Sequence, residues 1–305
     1  MKAAATAVLE PAAPARSRAA DYVALCKPRV AVLVLFTVAA GGLLASNGRP
    51  DWLLLLHTVL GTGLVAAGTS ALNQLLERRT DALMRRTENR PLPAGRLHAA
   101  EVLAFGGALA AVGLTYLLAA AGPWPAAVCG GTFLLYVFVY TPLKRVTTFN
   151  TVIGAVPGAL PPVIGWVAVR GSLGEEALAL FLIVFLWQVP HFLAIAWIYR
   201  EDYGRAGLRM LPVADPDGRA TGRRMVSWSL ALLVASVAPV VIGVAGAFYL
   251  VGALALGVAF LCCAAGFKME AGTPQARRVL RASLLYLPAL FALLVLDAGA
   301  SALWP

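Results

Sequence analysis

Residues Asn73 to Leu92 read NQLLERRTDALMRRTENRPL. The stretch begins where a long apolar run stops and charge starts, as it does where a helix leaves a bilayer. Asn73, Glu77 and Asp81 are spaced four apart. If the helix continues past the apolar run, about 100° of turn per residue sets all three along one face. Arg85, Arg86 and Arg90 follow at once. Hard oxygen ligands suit Mg²⁺, and guanidinium groups suit phosphate oxygens. The pattern points to a divalent metal holding a diphosphate at a membrane boundary. The plainer reading is a solvated helix end laced with Glu–Arg pairs. It leaves two carboxylates at the negative end of a helix dipole, repelling each other at i,i+4. A bound cation removes both penalties.

The rest of the chain agrees with a membrane setting. Its 305 residues are 60% hydrophobic and 13% charged. Nine apolar runs are long enough to span a bilayer: 30–46, 52–72, 101–121, 125–141, 151–169, 177–199, 225–245, 247–266 and 283–303. The expected fold is an all-α integral membrane bundle of nine transmembrane helices. With the N-terminus inside, 23 of the 25 Lys and Arg fall on the cytoplasmic side, and only Arg49 and Arg170 lie outside. This bias sets the N-terminus in and the C-terminus out. The net charge of +10 thus reflects topology. A basic face attracts anionic headgroups of the lipid bilayer and anionic substrates. Nucleic acid is excluded as a partner, because the basic residues are scattered over loops with no interleaved aromatic platform. Cys26, Cys129, Cys262 and Cys263 have no paired spacing and read as small buried hydrophobes. Residues 1–20, rich in Ala, Pro and Arg, read as a disordered tail ahead of one domain over 21–305.

The two long loops follow spans 2 and 6, and each carries an Arg-x-Leu-Pro string, at Arg90–Pro93 and Arg209–Pro212. This suggests two related halves framing a central site. The second loop opens with Glu201 and Asp202. Adjacent acids on a helix diverge, so Asp202 reaches a second metal while Glu201 pairs with Arg205, or the reverse. Between the halves lies YTPLKRVTTFNTVIGAVPGALPPVIGW, residues 140–166. Lys144 and Arg145 fit either an anion site or the ordinary positive-inside bias. Asn150 is placed to cap the next helix. Pro157, Pro161 and Pro162 predict a broken span that lines a cavity. His191, inside span 6, is a functional candidate by its depth, or else a hydrogen-bonded structural residue. Trp187 and Trp197 suit either a flat ring or core packing. His57 and His98 have no partner in view.

These strings resemble the protoheme IX farnesyltransferases, the heme branch of the UbiA-type intramembrane prenyltransferases. The pattern N-x-x-x-E-x-x-x-D-x-x-M-x-R-T-x-x-R-P-L over 73–92 carries the likeness. So do TPLKRVTTFNTVIGAVPGALPPVIGW, WQVPHFLAIAW and EDYGRAGLRMLPV, in that order along nearly the whole chain. The resemblance implies a bundle with a cytoplasmic loop cap in a bacterial inner membrane. It implies transfer of farnesyl from farnesyl diphosphate to a vinyl group of heme b, with addition of water, giving heme O for terminal oxidases. It names Mg²⁺ as cofactor, held by Asn73, Glu77, Asp81 and Asp202. Lys144 and Arg145 join these as catalytic residues. Arg85, Arg86, Arg90, Asn150, His191, Glu201, Tyr203 and Arg209 are the implied substrate contacts. Heme A synthase or oxidase assembly proteins are the implied partners. The chain departs from the broader superfamily in carrying Glu77 at the middle of the first motif and Arg205 where a last acid belongs. Two other readings compete. One is prenyl transfer to an aromatic quinone precursor on the same scaffold. The other is a transporter, although transporter sites sit near the midplane and these acids sit at the boundary.

Overall fold

The structure is a computed structural model that describes residues 17–303. All regular structure among the described residues is helical. Nine segments there are long and apolar enough to cross a membrane. In order they are Pro28–Ala45, Trp52–Asp81, Ala99–Ala120, Pro123–Leu143, Asn150–Arg170, Glu175–Ile198, Arg219–Val241, Ala247–Met269 and Thr273–Gly299, here spans 1 to 9. Most of the expected tail lies outside the described residues. Its last three residues belong instead to a helix, Arg18–Leu25, which Ser17 caps by accepting from Ala20 N.

One boundary differs from the sequence reading, and one expected break is present. Span 2 does not stop at residue 72. It runs 30 residues, from a cap at Asp51 to Asp81, because its last turns pack against neighbours instead of ending in water. Span 5 breaks as its prolines predict, into Asn150–Ala159 and Pro161–Arg170. Its second half is buried from Pro161 to Val167. Gln188 of span 6 donates to the Ala155 carbonyl at 3.2 Å, supplying a bond beside the break.

Spans 2 and 3 pack closely, as do 7 and 8, and 8 and 9, while span 9 also meets spans 1 and 6. Spans 5 and 6 form the interior, with 61% of their apolar windows buried against 22% for span 4. Span 1 lies on the second half of span 5 through bare glycine backbone. A Cβ on Gly165 would fall 1.9 Å from the Val38 carbonyl oxygen, and one on Gly41 2.1 Å from that of Pro162. Arg170 donates to Asn47 Oδ1 at 2.7 Å, which joins the loops after spans 1 and 5 at one end of the bundle. Glu77, Asp81, Glu201, Asp202 and most of the basic residues lie at the other end, the basic end.

Candidate active site

Helix geometry carries Asn73, Glu77 and Asp81 down one side of the last turns of span 2. Each meets a cation from a different part of the chain. Lys27 Nζ donates to Asn73 Oδ1 at 3.3 Å, Lys144 Nζ to Glu77 Oε1 at 2.6 Å, and Arg90 Nη1 to Asp81 Oδ2 at 2.7 Å. The chain's own cations therefore relieve the dipole and i,i+4 penalties that the sequence assigned to a metal. The two ion pairs are largely shielded, with Lys144 and Glu77 only 12% and 14% exposed and Asp81 1%. Asp81 Oδ1 is buried and has no hydrogen-bond partner among the described residues. A buried carboxylate oxygen left bare is costly, and it marks a place for a further cation or donor.

Local structure explains how the cations arrive. Residues Leu135–Tyr140 wind as a π-helix at the end of span 4. Such turns occur often at functional sites because they re-aim the side chains that follow. Here the turn brings Tyr140 under Lys144, whose Nζ sits 4.5 Å from the ring centroid. Burial works against the Lys144 charge, but Tyr140 and Glu77 outweigh it and hold its pKa well above the usual lysine range. Tyr140 fits because Gly154 has no side chain; a Cβ there would lie 2.3 Å from the ring. Thr141 accepts from Asn73 Nδ2 at 3.1 Å, tying span 2 to span 4. The Lys144 carbonyl accepts from Arg209 N at 2.9 Å, tying this loop to the second one.

Lys27 is held by the N-terminal helix. Arg96 Nε reaches both Asp21 oxygens at 3.0 Å, Arg18 pairs with Glu101, and Gln74 Nε2 donates to the Leu25 carbonyl at 2.8 Å. The chain then turns through Lys27 at φ 47, a left-handed conformation that aims the ammonium at Asn73. Burial, with Arg90 nearby, lowers the Lys27 pKa to about 7. Sequence reading counted Lys27 only as a topological charge, and it gave Tyr140 and Thr141 no role. No spacing rule ties residue 27 to residue 73, so only the fold could find that contact.

The second acid cluster is arranged differently from the first. Asp202 pairs with Arg205 through Oδ1 and accepts from Arg86 N through Oδ2 at 3.4 Å. Of the two pairings the sequence left open, the structure shows Asp202 with Arg205, and Glu201 is exposed. Arg86 lies over the rings of Tyr199 and Tyr203, 4.7 and 5.8 Å from their centroids, and donates to the Tyr203 hydroxyl at 3.2 Å. Met84, Ala206 and Leu208 close a small apolar cluster beside them. These residues clasp the first long loop to the second. Arg86 and Tyr203, expected on substrate, are here engaged with each other.

The remaining expected contacts are scattered. Arg209 donates to the Val146 carbonyl at 3.2 Å. Asn150 is not a cap. It is the first helical residue, after Phe149, and its amide donates to Thr147 O at 2.6 Å and Arg209 O at 2.8 Å because both carbonyls face it. Arg85 and Arg145 are exposed. His191 stacks on Trp187 and meets Ser283 Oγ at 2.8 Å. That hydroxyl donates to the Leu280 carbonyl at 2.7 Å, so it must accept from His191 Nδ1–H. The lone pair of the neutral imidazole is then on Nε2. Trp187 donates to the Ser283 carbonyl at 2.8 Å, and Trp197 packs edge-on against Phe267; both are core residues.

Among the described residues, no three His, Cys, Asp or Glu side chains gather closely enough to cage a metal ion. Mg²⁺ does not need such a cage, since it is usually held by one or two carboxylates plus substrate phosphates. The oxygens of Asn73, Glu77 and the bare Oδ1 of Asp81 fit that donor set.

Residues 34–287 match the UbiA prenyltransferase family. A protein named protoheme IX farnesyltransferase from Solibacter usitatus is 46% identical over 286 residues, covering 91% of this chain and 98% of its own. One of the same name from Salinibacter ruber is 44% identical with the same coverage. Among solved structures, a digeranylgeranylglyceryl phosphate synthase superposes with a TM-score of 0.77 at 18% identity, covering 92% of this chain and 99% of its own. A UbiA homologue from Archaeoglobus fulgidus, bound to GPP and Mg²⁺, superposes with a TM-score of 0.64 at 18% identity, covering 90% and 99%. With nine apolar helices among its described residues and this match across most of its length, the chain belongs to the UbiA prenyltransferase family, as a multi-pass integral membrane protein.

Proposed function

We propose that the chain transfers a farnesyl group from farnesyl diphosphate to a vinyl group of heme b, with water added, to give heme O and diphosphate. The observation that carries this reading is the line of oxygens and cations where span 2 ends, in a chain 46% identical to a protoheme IX farnesyltransferase. Asn73, Glu77 and Asp81 would hold Mg²⁺, which neutralises diphosphate oxygens and improves the leaving group. Asp202 would act from the facing loop, where it already organises the clasp.

In this reading Lys144, Arg90 and Lys27 move their hydrogen bonds from the span 2 oxygens to the phosphate oxygens. The carbon–oxygen bond of farnesyl diphosphate breaks, and its electron pair leaves with diphosphate. The vinyl π electrons bond to the allylic carbon. Water adds to the carbon left electron-poor and loses a proton, which gives the hydroxyethylfarnesyl group. The apolar helix walls keep water from the allylic cation until the vinyl group has reacted. His191, with its lone pair on Nε2, would contact the heme. Arg85, Arg145 and Arg209 would draw the anionic head toward the mouth. The positive-inside bias supports a site that faces the cytoplasm of a bacterial inner membrane. The product would then pass to heme A synthase or oxidase assembly proteins.

The test is the pigment formed by purified protein given heme b, farnesyl diphosphate and Mg²⁺. Heme O and stoichiometric diphosphate are expected, and chelation should stop both. Prenylation of an aromatic quinone precursor with heme b untouched would overturn the acceptor assignment.

A further inference from the structure

A cavity lies beside the segment that follows Lys144 and opens span 5. It has a volume of about 220 Å³, between the first half of span 5, span 6 and the start of span 7. Its walls are Phe149, Val152, Val189, Leu193, Leu211 and Trp228. One cation stands in this lining, Arg224, whose guanidinium lies 5.8 Å from the Phe149 ring centroid. No carboxylate pairs with Arg224 among the described residues. Thr148, also in the lining, adds a hydroxyl.

This chemistry selects an amphiphile, with hydrocarbon against the walls and an anion on the guanidinium. Position narrows the choice. The cavity is at the basic end of the bundle, with Phe149 58% exposed and Leu230 and Val234 exposed on the same helix as Arg224. In a membrane these surfaces meet acyl chains below and headgroups above. The volume is below the roughly 300–1,000 Å³ that encloses a drug-sized ligand, so a macrocycle would not be enclosed while a stretch of one acyl chain would.

We infer that this cleft binds an anionic phospholipid of the surrounding leaflet, its acyl chain between spans 5, 6 and 7 and its phosphate on Arg224. A free phosphate lacks the chain that the walls require. A zwitterionic lipid fills the cleft but gains less from the cation, because its own headgroup ammonium competes.

The experiment uses the full-length protein in phosphatidylcholine vesicles, titrated with brominated phosphatidylglycerol or brominated phosphatidylcholine. The signal is the Trp228 part of the fluorescence, taken as wild type minus Trp228→Phe. Phosphatidylglycerol should quench it at about fivefold lower mole fraction, the preference expected for one basic residue at a membrane surface. Arg224→Gln should abolish the preference, Arg224→Lys should keep it, and Val152→Trp should block quenching by both lipids. Equal quenching of wild type by the two lipids would overturn the inference. So would a preference that survives in Arg224→Gln, or one that is lost equally in Arg224→Lys. Arg224-dependent quenching by added heme b, undisturbed by phosphatidylglycerol, would reassign the cleft to the porphyrin.

Discussion

Lys144 Nζ lies 2.6 Å from Glu77 Oε1, joining the end of span 4 to the end of span 2. The ammonium lies along one of the oxygens expected to hold a metal. It also lies over the Tyr140 ring, so its position is fixed from two sides. An ion pair and a metal that share an oxygen compete. An arriving diphosphate resolves the competition by giving the ammonium other oxygens.

That relationship predicts opposite effects on metal binding and on turnover. Lys144→Met should free Glu77 and lower the Mg²⁺ concentration needed for a thermal shift, by about tenfold, since a like charge nearby no longer opposes the metal. Heme O formation should fall by at least about 100-fold, the usual loss when one preorganised charge stabiliser is removed. An unchanged Mg²⁺ midpoint would show that Lys144 and the metal do not share Glu77.

Asp81 and Arg90 should be unequal partners. Removing Arg90 leaves a carboxylate that is 1% exposed with both oxygens bare, whereas removing the acid leaves a guanidinium that is 25% exposed and can still reach water. Breaking a buried pair from one side costs about 3–5 kcal/mol. Arg90→Met should approach that cost in detergent unfolding, and Asp81→Asn should cost less. Mg²⁺ with pyrophosphate should recover most of the loss in Arg90→Met and little in Asp81→Asn. Equal recovery would remove Asp81 from the metal set.

The sequence carried the membrane class, the nine spans and the face of Asn73, Glu77 and Asp81, because bilayer thickness and helix pitch leave few alternatives. It marked Lys144 and Arg90 for the substrate's charge but did not reveal that they, with Lys27, pair with the oxygens of that face. Lys27, Lys144 and Arg90 come from three separate stretches, and a contact between residues 46 or 67 positions apart leaves no periodic trace. Asn150 was misread for a related reason. Helix-start statistics suggested a cap, but the Arg209 carbonyl, brought close by the fold, claimed the amide. Arg86 looked like a phosphate ligand beside Arg85, and two tyrosines from the other loop took it up.

Gly154 should prove to be part of the site although it bears no chemistry. A Cβ there would stand 2.3 Å from the Tyr140 ring, far inside contact distance. Gly154→Ala should displace that ring, and Lys144 with it. The overpacking should cost about 1–3 kcal/mol of stability, and turnover should fall by more than stability explains. Tyr140→Phe keeps the ring and should retain most activity. Full activity in Gly154→Ala would show that Lys144 is positioned without Tyr140.

His191 offers the sharpest separation of the two substrates. Ser283 Oγ spends its only hydrogen on the Leu280 carbonyl, so it accepts from His191 Nδ1–H and leaves Nε2 as a lone-pair donor. Stacking on Trp187, with ring centroids 4.7 Å apart, fixes the plane of the imidazole. A group with that tautomer and orientation suits a heme, through its iron or an edge donor, and has nothing to offer a diphosphate. His191→Ala should therefore raise the KM for heme b by about tenfold or more and shift the Soret band of bound heme, with the KM for farnesyl diphosphate unchanged. Ser283→Ala removes only the restraint on the tautomer, so it should give a smaller shift in the same direction, about two- to fivefold, in line with one neutral hydrogen bond. If both substitutions weakened the two substrates alike, the histidine would be a packing residue whose loss loosens spans 6 and 9 together.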